Sequence, residues 1–236
     1  MLLGVNIDHV ATLRNARGGV EPSVIRAANI CEENGGTSIT THLREDRRHI
    51  KDADVYTLMK TIKTKLNLEM AMAEDIQKIA LEIKPHSICL VPEKRQEVTT
   101  EGGLDVDGQL NNVTEFIKPL LNAGIIVSLF IDPDKAQVRA SAKTGAQFIE
   151  MHTGRYSEAF GTDSEEKEFL SLKNSAKLAQ SLGLKVNAGH GLNYENVHRM
   201  HEIEGLYELN IGHSIISRAV FTGLPEAVRT MADLIK

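Results

Sequence analysis

The sequence predicts an α/β fold in which eight parallel strands close into a (β/α)8 barrel. Short β-like runs alternate with stretches of helical spacing. The 236 residues divide among eight such units at about 30 residues each. Along seven of the eight strands, every second residue on one face is polar. This last observation separates the barrel from a doubly wound open sheet, which shares the alternation. A strand covered by helices on both faces reads as almost continuously apolar, and polar groups buried there without partners cost roughly 1–3 kcal/mol each. A closed barrel turns the polar face inward instead, toward a mouth at the strands' C-terminal ends. The chain is expected to form one domain over residues 1–236.

The first strand, LLGVNI at 2–7, sets Val5 and Ile7 opposite Asn6, with Asp8 continuing the polar face. Val24, Ala27, Ala28 and Cys31 follow at helical spacing, and Gly35-Gly36 supplies the turn into the next strand. SITTHL at 38–43 puts Thr40, His42 and Arg44 on one face. NLEMA at 67–71 opposes Asn67 and Glu69 to Leu68 and Met70, and SICLV at 87–91 is the mostly apolar fourth strand. IIVSLFI at 125–131 follows Gly124 and aligns Ser128 with Asp132. QFIEMH at 147–152 follows Gly145 and opposes Glu150 and His152 to Ile149 and Met151. Ala176, Leu178, Ala179 and Leu182 mark a helix before Gly183, then LKVNA at 184–188 aligns Lys185 with Asn187. LYELNI at 206–211 follows Gly205 and aligns Glu208 with Asn210. Polarity is expected to gather toward each strand's C-terminal end. Two long connections, from Pro92 to about Asn111 and from Thr153 to about Glu166, are expected to act as lids, and TLRNARGGVEP after the first strand is a third candidate.

Composition narrows the function. With 27 Lys+Arg against 32 Asp+Glu the net charge is −5, which argues against a nucleic-acid binder. Cys31 and Cys89 are the only cysteines, so neither a disulfide framework nor a zinc knuckle is expected. No apolar run has the length of a membrane span, and Asp8 and His9 interrupt any signal-peptide core, so the expectation is a soluble cytoplasmic protein without a membrane partner.

Six of the nine histidines (9, 42, 49, 152, 190 and 213) fall at strand C-terminal ends or in the loops that follow, while His86, His198 and His201 read as structural or surface residues. Histidine titrates near neutrality, so His42 and His190 suit proton transfer. Glu69 either has its pKa raised by burial or pairs with a nearby base. Arg44, Arg47, Arg48 and His49 follow the second strand. Of the three arginines Arg44 shares the face of His42 and is expected to point inward and grip a phosphate. Arg14 and Arg17 offer a second cationic point. NAGHGLN and NIGHSII close the seventh and eighth strands, where barrels often hold phosphate on backbone N–H groups, and Gly189, Gly191 and Gly212 permit that close approach. There is no H-E-x-x-H, H-x-H or G-x-S-x-G, and nothing lowers the pKa of Lys94 or Lys185 toward Schiff-base chemistry. Neither metal nor cofactor is expected. A phosphosugar aldolase or isomerase, or a non-catalytic phosphate-ligand sensor, remain the alternatives from the residues alone.

The segments GVNIDHVATLRNARG, HLREDRRHI, NLEMA, LVPEKRQEVTTEGGLDV, FIEMHTG, LKVNAGHGLN and ELNIGHSII together resemble the pyridoxine 5′-phosphate synthases of vitamin B6 biosynthesis, in order from residue 2 to beyond residue 220. The resemblance implies a TIM barrel with extra helices, assembled as an octamer built from dimers. It also implies a reaction: 3-amino-2-oxopropyl phosphate and 1-deoxy-D-xylulose 5-phosphate giving pyridoxine 5′-phosphate, phosphate and water. By this resemblance His42 and Glu69 are proton acceptors, His190 is a proton donor, and Glu150 stabilises the transition state. The aminoketone phosphate falls to Asn6, Arg17, Gly191, Gly212 and His213. The deoxyxylulose phosphate falls to Asp8, His9, Arg44, His49 and Thr99.

Overall fold

The computed structural model describes residues 1–93 and 102–236. Eight parallel strands close in sequence order, β1 pairing with β8: β1 Leu2–Asn6, β2 Ser38–His42, β3 Lys65–Met70, β4 Ser87–Leu90, β5 Ile126–Ile131, β6 Phe148–His152, β7 Lys185–Gly189 and β8 Leu206–Ile211. All eight expected strands are present. β3 begins two residues before the expected run, and the other ends differ by one residue at most, the scale at which strand ends are defined.

Helices enclose the barrel: α1 Asp8–Arg17, α2 Val24–Glu33, α3 Asp52–Thr61, α4 Glu74–Ile83, α5 Leu110–Asn122, α6 Lys135–Thr144, α7 Gly154–Ala159, α8 Glu165–Ser181, α9 His213–Thr222 and α10 Leu224–Leu234. Local chemistry starts and stops several of them. The Ser23 hydroxyl accepts from the Arg26 N–H, Asp134 accepts from the N–H groups of Ala136 and Gln137, and Gly145 ends α6 with a φ of 91°. The expected α2 stripe of Val24, Ala27, Ala28 and Cys31 is buried in full. In α8 the stripe is shifted: Ala176 and Ala179 are buried with Phe169 and Leu172, while Leu182 lies exposed past the last turn. Between β7 and β8 the chain forms only a 3₁₀ helix, Val197–Glu202. The helices α1 and α7 are additions inserted directly after β1 and β6.

The apolar core lies between strands and helices. Val5, Ile39, Leu68, Ile88, Leu129, Met151, Val186 and Leu209 face outward into one continuous cluster with helix residues such as Val55, Ile76, Ile117 and Val228. The inside of the barrel is polar and internally hydrogen-bonded. Ser87 donates to Asn67 Oδ1 (3.0 Å), Asn67 Nδ2 to Thr40 Oγ1 (3.4 Å), Thr40 to Asn210 Oδ1 (2.9 Å), and Asn210 Nδ2 to Glu150 Oε2 (2.6 Å). Gly4 makes room for this chain, because a Cβ there would lie 2.0 Å from Asn210 Oδ1.

One expectation is corrected here. Polarity is not confined to the C-terminal ends: Ser38, Lys65, Ser87, Ser128, Lys185 and Glu208 carry it to the opposite end as well, around a cavity of about 190 Å³. The hydrogen-bonded chain from Ser87 to Glu150 makes much of this polar interior tolerable. The connection after β6, one of the expected lids, is largely helical, with Tyr156 buried and its hydroxyl donating to the Asn196 carbonyl (2.6 Å). Much of the connection after β4, the other expected lid, lies outside the described residues. The segment after β1 begins as helix α1, whose Arg14 grips Asp54 at 2.6 and 2.8 Å; it ties α1 to α3 and supplies no cationic point for a ligand.

Candidate active site

A cavity of about 840 Å³ opens where the strands end. Twelve of the fourteen expected site residues line it: Asn6, Asp8, His9, His42, Arg44, His49, Glu69, Glu150, His190, Gly191, Gly212 and His213. Thr99 lies outside the described residues. Arg17 is exposed at the end of α1, outside the lining. It follows Asp8 by nine residues, about two and a half helical turns, and so stands on the opposite side of the helix.

Each part of the cavity is fixed by its neighbours. Asn6 Nδ2 donates to Asp8 Oδ2, the Asp8 N–H donates back to Asn6 Oδ1, and the His42 N–H donates to Asp8 Oδ1, all at 2.9 Å. The carboxylate of Asp8 thus pins the ends of β1 and β2 together. His9 packs edge-on against His213 with ring centres 5.1 Å apart, and burial followed by that neighbour lowers its pKa. Burial also lowers the pKa of His49, whose Nδ1 accepts from the Ile50 N–H.

The two inward carboxyls carry the strongest perturbation. Glu150, anchored by Asn210, is pushed up to about 7, chiefly by burial. Glu69 is raised well above the ordinary carboxyl range by burial, then by the nearby charges of Glu150 and Asp8. Carboxyls so placed hold protons near neutrality, as acid–base groups must.

His190 occupies a sharp turn, with φ of 78° at His190 and 81° at Gly191. A non-glycine residue in this left-handed region carries a strain of order 1–3 kcal/mol. The Thr153 hydroxyl, donating to the carbonyls of Gly189 and His190, supports the turn. Burial, with His152 beside it, brings the His190 pKa down to about 4, so the ring is neutral in the empty cavity. Beside this turn, at the end of the neighbouring strand β8, Gly212 precedes α9, whose first residues His213 and Ser214 also line the cavity. Backbone N–H groups at such an end favour an anion.

The structure revises several assignments. His152 does not line the cavity; it lies behind His190, with ring centres 4.8 Å apart, and its Nδ1 bonds Asp132 at 3.0 Å. Arg44 is inward and buried as expected, but Arg48 lines the cavity too, while Arg47 turns to Asp52 and Asp75. Lys185 lies at the far end of the barrel against the rings of Phe148 and Tyr207, and Lys94 lies outside the described residues. Among the described residues, no lysine lines the cavity. Among the described residues no group of three or more His, Cys, Asp or Glu side chains is arranged to hold a metal. Glu93 was missed: its Oε1 lies 2.7 Å from His42 Nε2. Counting in twos from Cys89 through Val91 reaches it, so strand parity extended past Pro92 is the signal that points there.

A family model described as "Pyridoxal phosphate biosynthesis protein PdxJ" matches residues 3–236. The chain is 58% identical over 234 residues to pyridoxine 5′-phosphate synthase of Geobacter sulfurreducens, with 99% of this chain and 98% of the relative covered. The corresponding enzyme of Neisseria meningitidis is 54% identical over 233 residues, with 99% and 96% covered. Among solved structures, phosphoribosyl anthranilate isomerase from Thermus thermophilus superposes with a TM-score of 0.62 at 13% identity, covering 100% of this chain and 98% of that one. At that identity the likeness speaks for the fold alone.

Proposed function

Because the chain belongs to the PdxJ family of pyridoxal phosphate biosynthesis proteins, we propose that it joins 3-amino-2-oxopropyl phosphate to 1-deoxy-D-xylulose 5-phosphate, forming pyridoxine 5′-phosphate with release of phosphate and water. The observation that carries this reading is the convergence of His42, Glu69, Glu150 and His190 on one cavity that also holds Arg44 and the N-terminal end of α9. Its volume of about 840 Å³ suits small ligands.

The chemistry follows from the groups present. Amine and ketone condense to an imine between the two substrates, which requires no lysine from the protein. Proton transfers then expel water and phosphate, and a last condensation closes the aromatic ring. His42 takes up a proton, and Glu69, which burial keeps protonated, accepts one after giving its own to the substrates. Glu150, held by Asn210, stabilises charge in the transition state. His190 donates; its neutral ring in the empty cavity gains basicity once phosphate anions lie nearby, since opposite charge favours the imidazolium. Asn6, Gly191, Gly212 and His213 hold the aminoketone phosphate; Asp8, His9, Arg44, His49 and Thr99 hold the deoxyxylulose phosphate. Arg17, exposed at the end of α1, is assigned to the aminoketone phosphate with Asn6, Gly191, Gly212 and His213. The enzyme acts in the cytoplasm as an octamer built from dimers, an assembly supported by exposed apolar residues on the adjacent helices α1 and α9, Leu13, Val220 and Phe221.

Incubating the purified protein with both phosphates tests this directly. A fluorescent pyridine product dependent on both substrates is expected; binding of both without product would leave only a sensor.

A further inference from the structure

We propose that Glu93 is a positioning residue that sets the tautomer of His42, so that the ring presents Nδ1 to the substrate as the proton-accepting lone pair. The inference rests on the reading of His42 as a proton acceptor. Both Glu93 oxygens are engaged. Oε1 lies 2.7 Å from His42 Nε2, while Oε2 accepts from the Glu45 N–H at 3.2 Å and lies 3.9 Å from Arg44 Nη2. The side chain is only 5% exposed, so its geometry is well defined.

The protonation states follow in sequence. Burial works to raise the Glu93 pKa, but the bonds from His42 and the Glu45 N–H, with the charge of Arg44, hold it below the usual carboxyl range. An ionised carboxylate has only lone pairs to offer, so the ring must donate from Nε2. A neutral imidazole carries a single N–H, which leaves the lone pair on Nδ1. Nδ1 has no hydrogen-bond partner among the described residues, and His42 lines the cavity. When Nδ1 takes a proton, the imidazolium keeps its pairing with Glu93 and the new charge is compensated at once.

Other titratable and charged groups face His42, but none replaces this contact. Asp8 on α1 is occupied by Asn6 and the His42 backbone; Arg44 and His49 come from the loop after β2; Glu69 is the β3 neighbour of His42. Of these carboxylates only Glu93 bonds the ring.

The decisive variant is Glu93→Gln. The Glu45 N–H and Arg44 require an oxygen where Oε2 now lies, so the amide must turn its NH2 toward His42 Nε2. That nitrogen then has to accept, which moves the ring proton to Nδ1. Nitrogen-15 NMR of histidine-labelled protein, with His42 assigned through His42→Asn, should show the Nε2–H tautomer in the unaltered protein and its inversion in Glu93→Gln. Turnover should fall by about 10²–10⁴-fold, with KM changed by no more than about threefold. A merely structural Glu93 would lower stability without inverting the tautomer. A proton on Nδ1 in the unaltered protein overturns the inference even if the variant fails to fold, as does inversion with undiminished kcat. Turnover lost in His42→Asn but kept in Glu93→Gln overturns the role of Glu93 alone; turnover kept in His42→Asn removes the acceptor reading of His42 as well.

Discussion

At the scale of single residues, the cavity holds groups whose ordinary ionisation has been shifted, and each shift has a consequence for stability as well as chemistry. Replacing His42 or Glu69 by Ala should reduce turnover by about 10²–10⁴-fold while circular dichroism stays unchanged, since each removes one positioned proton carrier. Glu150 has a folded-state pKa of about 7 against 4.5 for an ordinary Glu. The folded state therefore retains a proton that the unfolded chain releases, and stability is lost as pH rises from 4.5 through about 7. Glu150→Gln removes that loss: its melting temperature should exceed the parent's at pH 8, by a difference on the order of 2–3 kcal/mol, and match it near pH 4.5. His190 carries the opposite sign. Its pKa of about 4 lies below the 6.5 of free histidine, so its contribution is complete above 6.5 and is lost as pH falls toward 4. Thermal melts of His190→Asn should show a shallower decline over that window, by roughly 1–2 kcal/mol after allowing for partial solvent contact. A parallel decline in variant and parent would remove this account of His190.

At the scale of elements, function depends on how strands deliver side chains. The inward hydrogen-bonded chain from Ser87 to Glu150 crosses from β4 through β3, β2 and β8 to β6. Gly4→Ala intrudes on Asn210 and should cost roughly 1–3 kcal/mol as overpacking. It should also reduce turnover, because Asn210 can no longer hold both Thr40 and Glu150. Denaturant titration and initial rates measure the two effects, and unchanged turnover would show that Glu150 does not depend on this anchor. Much of this was legible in the chain. Alternation by twos identified Asn6, His42, Glu69, Glu150 and Asn210 as inward because a strand repeats every two residues whatever surrounds it. Parity failed where strands ended. His152 continues the face of Glu150 in sequence, yet β6 ends there, and the side chain lies behind His190 against Asp132.

At the scale of the molecule, a closed ring of strands gathers residues from position 6 to position 214 around one cavity. Exposed apolar side chains on α1 and α9 accompany the octamer proposal, and sedimentation velocity should return a mass well above the 26.0 kDa of one chain. A monomer at micromolar concentration would refute it. The order of the strands, the inward face of seven of them and the family were readable from the linear chain, because they follow from local periodicity and contiguous motifs. Contacts between distant segments were not. That Arg14 is committed to Asp54, that α7 is packed down, and that Glu93 meets His42 across 51 positions of sequence depends on the closure of the barrel. Periodicity fixes which way a side chain points; only the packed ring decides what it meets.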